Sequence, residues 1–229
     1  MGKTIEGLSA EMGFEVVEIY NSLNPFLQSS SSNADVAIEF SIPELAVNHI
    51  LHAHKIGLPI VVGTTGWYDK FEEVKKQTID KNGSLFFASN FSVGVNIFFQ
   101  INTLLAKLMN QHPQYMANMQ EIHHTEKKDA PSGTAISLAN QICSVNQHYD
   151  KWILKSMDKS VVNDELSIEA LREPHVPGTH TIKWESPIDF IEIKHEAKSR
   201  LGFAQGAVYA AKFLMGKKGV FSMNDLLKL

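Results

Sequence analysis

Along the chain, short apolar runs alternate with stretches whose apolar positions recur at helical spacing. The runs "EVVEIY" (15–20), "DVAIEF" (35–40), "PIVVG" (59–63) and "SLFFAS" (84–89) read as strands of a parallel sheet. Between them, "PELAVNHILHAHKIG" (43–57) sets Leu45, Ile50, Leu51 and Ile56 at roughly helical spacing. The stretch "WYDKFEEVKKQTIDKNG" (67–83) does likewise and stops at Asn82-Gly83. Strand and helix in alternation demand right-handed crossovers, hence a doubly wound sheet whose ligands lie beyond the carboxyl ends of its strands.

After residue 92 the pattern changes. A long helical run, "SVGVNIFFQINTLLAKLMNQH" (92–112), leads to a histidine-containing segment and then to a helix from about Thr134 to Asn146. Further on, "HTIKWES" (180–186) and "DFIEIKHEAKS" (189–199) carry β-type patterns, as in a separate α+β domain. A last helix, "FAQGAVYAAKFLMGKKG" (203–219), is stopped by glycine and is placed to return to the first domain. The expected architecture is α/β: a Rossmann-like doubly wound sheet from residues 1–92 and 203–229, with an α+β domain inserted at 93–202.

Composition narrows the partners. With 229 residues, 44% of them apolar, the chain can bury a sizeable core. A formal charge of -4 disfavours a nucleic acid or an anionic membrane as the main partner, so any anion must be captured locally. The single cysteine, Cys143, allows no intrachain disulfide, and no leader pattern or membrane-length apolar run is evident. A cytoplasmic protein is expected. The serine-rich "QSSSSN" (28–33) reads as a surface linker.

Two places carry candidate chemistry. In "VVGTTGW" (61–67), Gly63, Thr64, Thr65 and Gly66 follow a strand and precede a helix, where backbone N–H groups point at a ligand. The stretch "FFASNFSVG" (86–94) repeats that arrangement at the next strand end. The second place is "EIHHTEKKDAPSGTA" (121–135), in which His123, His124, Lys127 and Lys128 precede a helix start at Ser132-Gly133-Thr134. Adjacent histidines point apart, and no H-x-x-x-H spacing or nearby thiolate completes a metal set, so no metal is expected. A dianionic small molecule fits better. Each charge-assisted hydrogen bond contributes about 1.5–3 kcal/mol, and a helix N-terminus adds roughly 0.3–1 kcal/mol. One imidazole then remains for proton transfer near neutrality. His49, His52 and His54 read as structural or solvated, Cys143 as core packing, and Arg200 as either a cationic fork or a solvated charge. His175 and His180 offer no chemical argument of their own.

The segment "EIHHTEKKDAPSGTA" resembles the E-x-H-H-x-x-K-x-D-A-P-S-G-T-A signature of the 4-hydroxy-tetrahydrodipicolinate (dihydrodipicolinate) reductases. The segments "VGTTG", "ASNFSVGVN", "VPGTHT" and "HEAKSRLGFAQGAV" match further landmarks of that family in order. The resemblance implies reduction of a cyclic imine dicarboxylate by NADH or NADPH, in the diaminopimelate route to lysine. It makes His123 the proton donor and Lys127 its assistant, with His124, Gly133 and Thr134 holding a substrate carboxylate. Gly63, Thr64 and Thr65 would meet the nicotinamide end of the cofactor. Ala88, Ser89, Asn90 and Phe91 would form its second wall, and Arg200 would lie close to it. The family resemblance also implies a homotetramer assembled through the sheet of the second domain.

The family opens with a strand and a G-x-G-x-x-G loop, of which "MGKTIE" matches only the end, with Gly2 as the third glycine. Impaired cofactor binding is the corresponding expectation. Tyr20 and Asn21 stand where an acid or an arginine would choose between NADH and NADPH, so the preference is left open. A rival reading is a non-catalytic, dicarboxylate-binding relative that has lost its cofactor loop. Another two-domain Rossmann dehydrogenase, acting on a semialdehyde or imine, is disfavoured by the double histidine.

Overall fold

A computed structural model describes residues 1–29, 33–155 and 164–229, so residues 30–32 of the serine-rich stretch lie outside the described residues. In chain order the first elements are α1 (Gly2–Ser9), β1 (Ala37–Glu39), α2 (Pro43–Lys55), β2 (Ile60–Val62), α3 (Phe71–Asp80), β3 (Ser84–Phe87) and α4 (Val93–Met109). There follow β4 (Met116–His123), α5 (Gly133–Val145), β5 (Lys151–Leu154), β6 (Glu165–Arg172), β7 (Thr179–Glu185) and β8 (Phe190–Glu196). The chain ends with α6 (Leu201–Leu214), β9 (Gly219–Phe221) and α7 (Met223–Leu227). It divides into two compact units: Met1–Val93 with Leu201–Leu229, and Gly94–Arg200.

The first unit is Rossmann-like, with a four-stranded parallel sheet in the order β1-β2-β3-β9. Side chains alternate across a strand, so an apolar run feeds both faces of its sheet. Val61 and Phe86 point into a core completed by Ile5 of α1 and by Ala204, Ala207, Val208, Ala211 and Leu214 of α6. Their neighbours Ile60, Val62 and Leu85 enter the opposite core, with Ala46, Ile50 and Ala53 of α2 and Val74 of α3. The continuous apolar runs are thus explained by a sheet covered on both sides. Each large side chain buried there stabilises the fold by roughly 1.5–3 kcal/mol.

One expected strand is absent. Residues 15–20 are not hydrogen-bonded into a sheet, and Val16, Val17 and Ile19 are 43%, 47% and 53% exposed. Among the described residues β1 pairs only with β2, which leaves "EVVEIY" no ladder to join. A β-type composition creates a strand only where a neighbour can accept its hydrogen bonds.

The second unit is a five-stranded mixed sheet in the order β5-β6-β4-β7-β8. Its central strand β4 runs parallel to β6 and antiparallel to β7. Phe98 and Ala106 of α4 and Leu138, Ala139 and Ile142 of α5 cluster with Leu166, Ile168, Ile182 and Trp184 of the sheet. Cys143 packs against the same core, and burial raises its thiol pKa. The apolar pattern does not single out strands β4, β5, β6 and β9 or helix α7. Helix α5 begins at Gly133, with Ser132 as its N-cap accepting from the Ala135 N–H at 3.2 Å. Among the described residues no helix is long and apolar enough to cross a membrane.

Candidate functional site

Strand β4 explains why the histidine segment is more than a loop. Its exposure alternates, so that Ala117, Met119, Glu121 and His123 all face inward. Glu121 is 0% and His123 8% exposed, which brings a carboxylate and an imidazole to the same buried face. The Glu121 Oε2 to His123 Nδ1 distance is 3.4 Å. Sheet register supplies the remaining groups: His180 of β7 is the cross-strand partner of Glu121, and Arg172 of β6 that of His123. His180 Nε2 lies 3.7 Å from Glu121 Oε2, and Arg172 Nη1 lies 3.5 Å from Oε1. The imidazoles of His123 and His180 meet edge to face at 5.2 Å.

A buried carboxylate costs several kcal/mol unless its oxygens are bonded. Here both accept the Ser132 N–H, each at 3.0 Å, which ties Glu121 to the start of α5. The Ser132 hydroxyl also reaches His180 Nε2 at 3.1 Å. Arg172 grips the intervening loop as well, donating to the carbonyls of Asp129 at 2.7 Å and Lys127 at 3.3 Å. The β4 terminus, the loop after it and the helix start are therefore held as one piece.

Burial drives the His180 imidazole down to about 3, assisted by the charges of His123, His195 and Lys127, so it is neutral under ordinary conditions. Burial also lowers the pKa of His123. Glu121 works against that shift, while Lys127, Arg172 and His124 reinforce it. On the loop, His124 Nδ1 meets Glu126 at 2.9 Å, and its Nε2 lies 3.3 Å from an Arg200 nitrogen. Lys127 is salt-bridged to Asp129 at 2.7 Å, while Gly133 is exposed and Thr134 half-buried at the first turn of α5. The second unit thus carries all of His123, His124, Lys127, Gly133, Thr134 and Arg200, the first three at the end of β4 and on the loop that leads to the α5 N-terminus, a terminus suited to an anion.

In the first unit the in-register parallel strands bring the loops after β1, β2 and β3 side by side at their carboxyl ends. Thr64, Ala88 and Phe91 are buried, whereas Thr65, Gly66 and Ser89 are exposed and Asn90 is half-buried. An ideal Cβ on Gly63 would lie 2.1 Å from Phe40 Cε1, so a side chain there would displace that ring. Phe40 in turn packs on Phe91 at 5.8 Å. Thr64 Oγ1 accepts the Ser41 N–H at 2.7 Å, and Glu39 also accepts that N–H, at 3.0 Å. His49 Nδ1 lies 3.3 Å from Glu39, so this histidine braces the loop. Gly2 is exposed in the first turn of α1. Tyr20 bonds to Glu18 at 2.5 Å, and Asn21 accepts the Leu23 and Asn24 N–H groups.

Sequence reasoning missed Glu121, Arg172, His180, Glu39 and Phe40. The first three meet through strand register, which residue spacing does not reveal. Gly178, within "VPGTHT", lies against the donor: an ideal Cβ there would stand 3.0 Å from His123 Nε2.

A Rossmann-like unit joined to a mixed-sheet unit with an imidazole–carboxylate cluster at a helix start defines a two-unit oxidoreductase of the nicotinamide-dependent class. The sequence matches the family descriptions "Dihydrodipicolinate reductase, N-terminus" over residues 2–91 and "Dihydrodipicolinate reductase, C-terminus" over residues 94–227. The chain belongs to the dihydrodipicolinate reductase family. It is similar to a 4-hydroxy-tetrahydrodipicolinate reductase of Christiangramia forsetii, with 45% identity over 99% of this chain and 93% of that protein. The enzyme of the same name from Lawsonia intracellularis is 31% identical over 99% of this chain and 95% of its own length. Among solved structures, the fold is similar to that of a dipicolinate-bound dihydrodipicolinate reductase from Paenisporosarcina sp. TG-14. The TM-score is 0.66 at 21% identity, covering 82% of this chain and 71% of that one.

Proposed function

We propose that the chain catalyses the NADH- or NADPH-dependent reduction of 4-hydroxy-tetrahydrodipicolinate to tetrahydrodipicolinate, in the diaminopimelate route to lysine. The observation that carries this reading is the placement of His123, buried beside Glu121 on a strand that leads directly to an anion-suited helix start. Family membership supports the substrate class.

The loops at the carboxyl ends of β2 and β3 fit a nicotinamide. The Phe40 ring lies against Gly63 and packs on Phe91, which puts aromatic surface beside the loop after β2, of the kind that suits a planar, partly apolar ring. When bound, the nicotinamide supplies the hydride. Gly63, Thr64 and Thr65 would hold the nicotinamide end of the cofactor. Ala88, Ser89, Asn90 and Phe91 would form the second wall of the cofactor site, with Gly2 as a further contact. In the second unit His124, Gly133 and Thr134 hold a substrate carboxylate, Lys127 favours its negative charge, and His123 Nε2 delivers the proton.

The dianion offsets part of the positive charge of Lys127, Arg200 and the α5 terminus. That favours the imidazolium form of His123 once substrate is in place. A homotetramer through the second sheet is supported by the apolar groups at its edge, where Phe190 is 56% and Ile191 43% exposed. A cytoplasmic location agrees with the lysine-pathway role.

The test is to supply the purified chain with 4-hydroxy-tetrahydrodipicolinate and follow loss of NADH or NADPH absorbance. Substrate-dependent oxidation of either cofactor is expected. Dipicolinate binding without any such turnover would favour the non-catalytic relative instead.

A further inference from the structure

The mechanism above uses His123 and Lys127 but leaves Glu121, the fully buried charge beside the donor, without a task. Two imidazoles and a carboxylate, from His123, His180 and Glu121, have ligand atoms within 4.8 Å of one another. A cation is one occupant to consider there. Against it, the Ser132 N–H engages both Glu121 oxygens, and the Arg172 guanidinium stands 3.5 Å from one of them. The carboxylate already has its positive partners, and a divalent ion would face a fixed positive charge.

The alternative follows from directions. Among the described residues His123 Nδ1 has no hydrogen-bond partner, and Glu121 Oε2 stands 3.4 Å from it, within ion-pair range. The other ring nitrogen, Nε2, faces Gly178, where the absence of a Cβ leaves its edge uncovered by a side chain. A carboxylate beside one nitrogen favours a proton on that nitrogen and leaves the other for exchange with substrate. The same carboxylate holds the backbone amide of Ser132, the N-cap of the helix that carries Gly133 and Thr134, and through Arg172 it is joined to the carbonyls of Lys127 and Asp129.

We propose that Glu121 is the positioning residue of this site, fixing the His123 proton on Nδ1, stabilising the imidazolium, and locking the donor in register with the anion-binding turn. This inference rests on the reading of His123 as proton donor. Arg172, 3.5 Å from Glu121 Oε1, helps anchor it. The charged and titratable groups that face His123 are Glu121 on its own strand, His124 and Lys127 from the following loop, Arg172 from β6 and His180 from β7. His195 on β8 acts one step further out, through His180. Of these, Glu121 alone favours the charged imidazole, so its removal acts in one direction.

The experiment compares wild type, Glu121→Gln and His123→Gln in kcat against pH and in dipicolinate Kd. Proton donation requires the protonated imidazole, so kcat falls as pH rises past the donor's pKa. Neutralising Glu121 should move this basic limb about one pH unit lower, the lower end of the effect of an opposite charge at this range. At neutral pH kcat should drop about 10-fold, as such a shift requires. The two profiles should converge at low pH, with dipicolinate Kd changed less than about threefold, since glutamine keeps an amide oxygen that can accept the Ser132 N–H and so leaves the anion-binding turn in place. A uniform loss across the pH range, or an unshifted limb, overturns the proposal.

A second measurement does not depend on the variant folding. Nitrogen-15 NMR of wild-type histidines, with His123 assigned by its loss in His123→Gln, should show the neutral ring protonated on Nδ1. A ring protonated on Nε2 overturns the proposal. Absence of turnover in wild type, or full turnover in His123→Gln, would instead overturn the functional reading, and the tautomer would still decide the part played by Glu121.

Discussion

Gly206 of α6 lies against Phe91 so closely that an ideal Cβ at residue 206 would stand 1.8 Å from the Phe91 carbonyl oxygen. The contact fixes the loop after β3 against the helix, and it sets two effects in opposition. Alanine in a helix interior gains up to about 1 kcal/mol over glycine, whereas forcing a methyl group into packed backbone typically costs about 1–3 kcal/mol. A clash with a carbonyl rather than a pliable side chain falls at the upper end. Gly206→Ala should therefore lower stability by roughly 1–2 kcal/mol and weaken cofactor binding through the displaced Phe91. Urea denaturation and NADH titration check both, and a variant more stable than wild type would show that the loop yields freely.

His54, buried under Gly83 near Lys81 and Lys218, makes a pH prediction. Burial, then those two lysines, hold its imidazole down at about 4, and among the described residues neither ring nitrogen has a hydrogen-bond partner. The unfolded chain binds a proton near the ordinary value of about 6.5 while the folded chain does not. Stability from this group is therefore complete above about pH 6.5 and is lost as pH falls towards about 4. The loss should amount to about 1–3 kcal/mol, and His54→Met should show less of it. Denaturation curves at neutral pH and near pH 5 measure the difference. An equal loss in wild type and variant would assign the acid sensitivity to other groups, with His180 the next to test.

The parts of the fold visible in the sequence were those whose period reports a local environment. Ile60, Val61 and Val62 form a continuous apolar run because successive side chains enter opposite cores, and α5 was legible from its N-cap Ser132. "EVVEIY" misled because strand pairing is a relation between segments and composition describes only one. Strand β4 was obscured by Glu121 and His123 on its buried face, where an apolar pattern would have continued. Their partners Arg172 and His180 arrive by register from β6 and β7, so the donor and its helix start could be read from "EIHHTEKKDAPSGTA" while the charges that tune the donor could not.

The dicarboxylate subsite predicts a binding loss separable from chemistry. Thr134→Val and Lys127→Ala should each weaken dipicolinate binding by about 1–3 kcal/mol through lost charge-assisted bonds. In the lysine variant, part of the loss is offset because Lys127 no longer has to leave Asp129, which it contacts at 2.7 Å. Calorimetric titration with dipicolinate gives the values. Unchanged affinity in both variants would place the anion elsewhere.

The central claim is that His123 donates the proton, and its most direct test is kcat of His123→Gln alongside dipicolinate binding. Glutamine keeps a polar group of similar reach but cannot carry a transferable proton near neutrality. The account predicts that kcat falls by roughly 10²–10⁴-fold, the range for losing a general acid, with KM and dipicolinate Kd nearly unchanged. Turnover within a few-fold of wild type, in a variant that still binds dipicolinate, would contradict it.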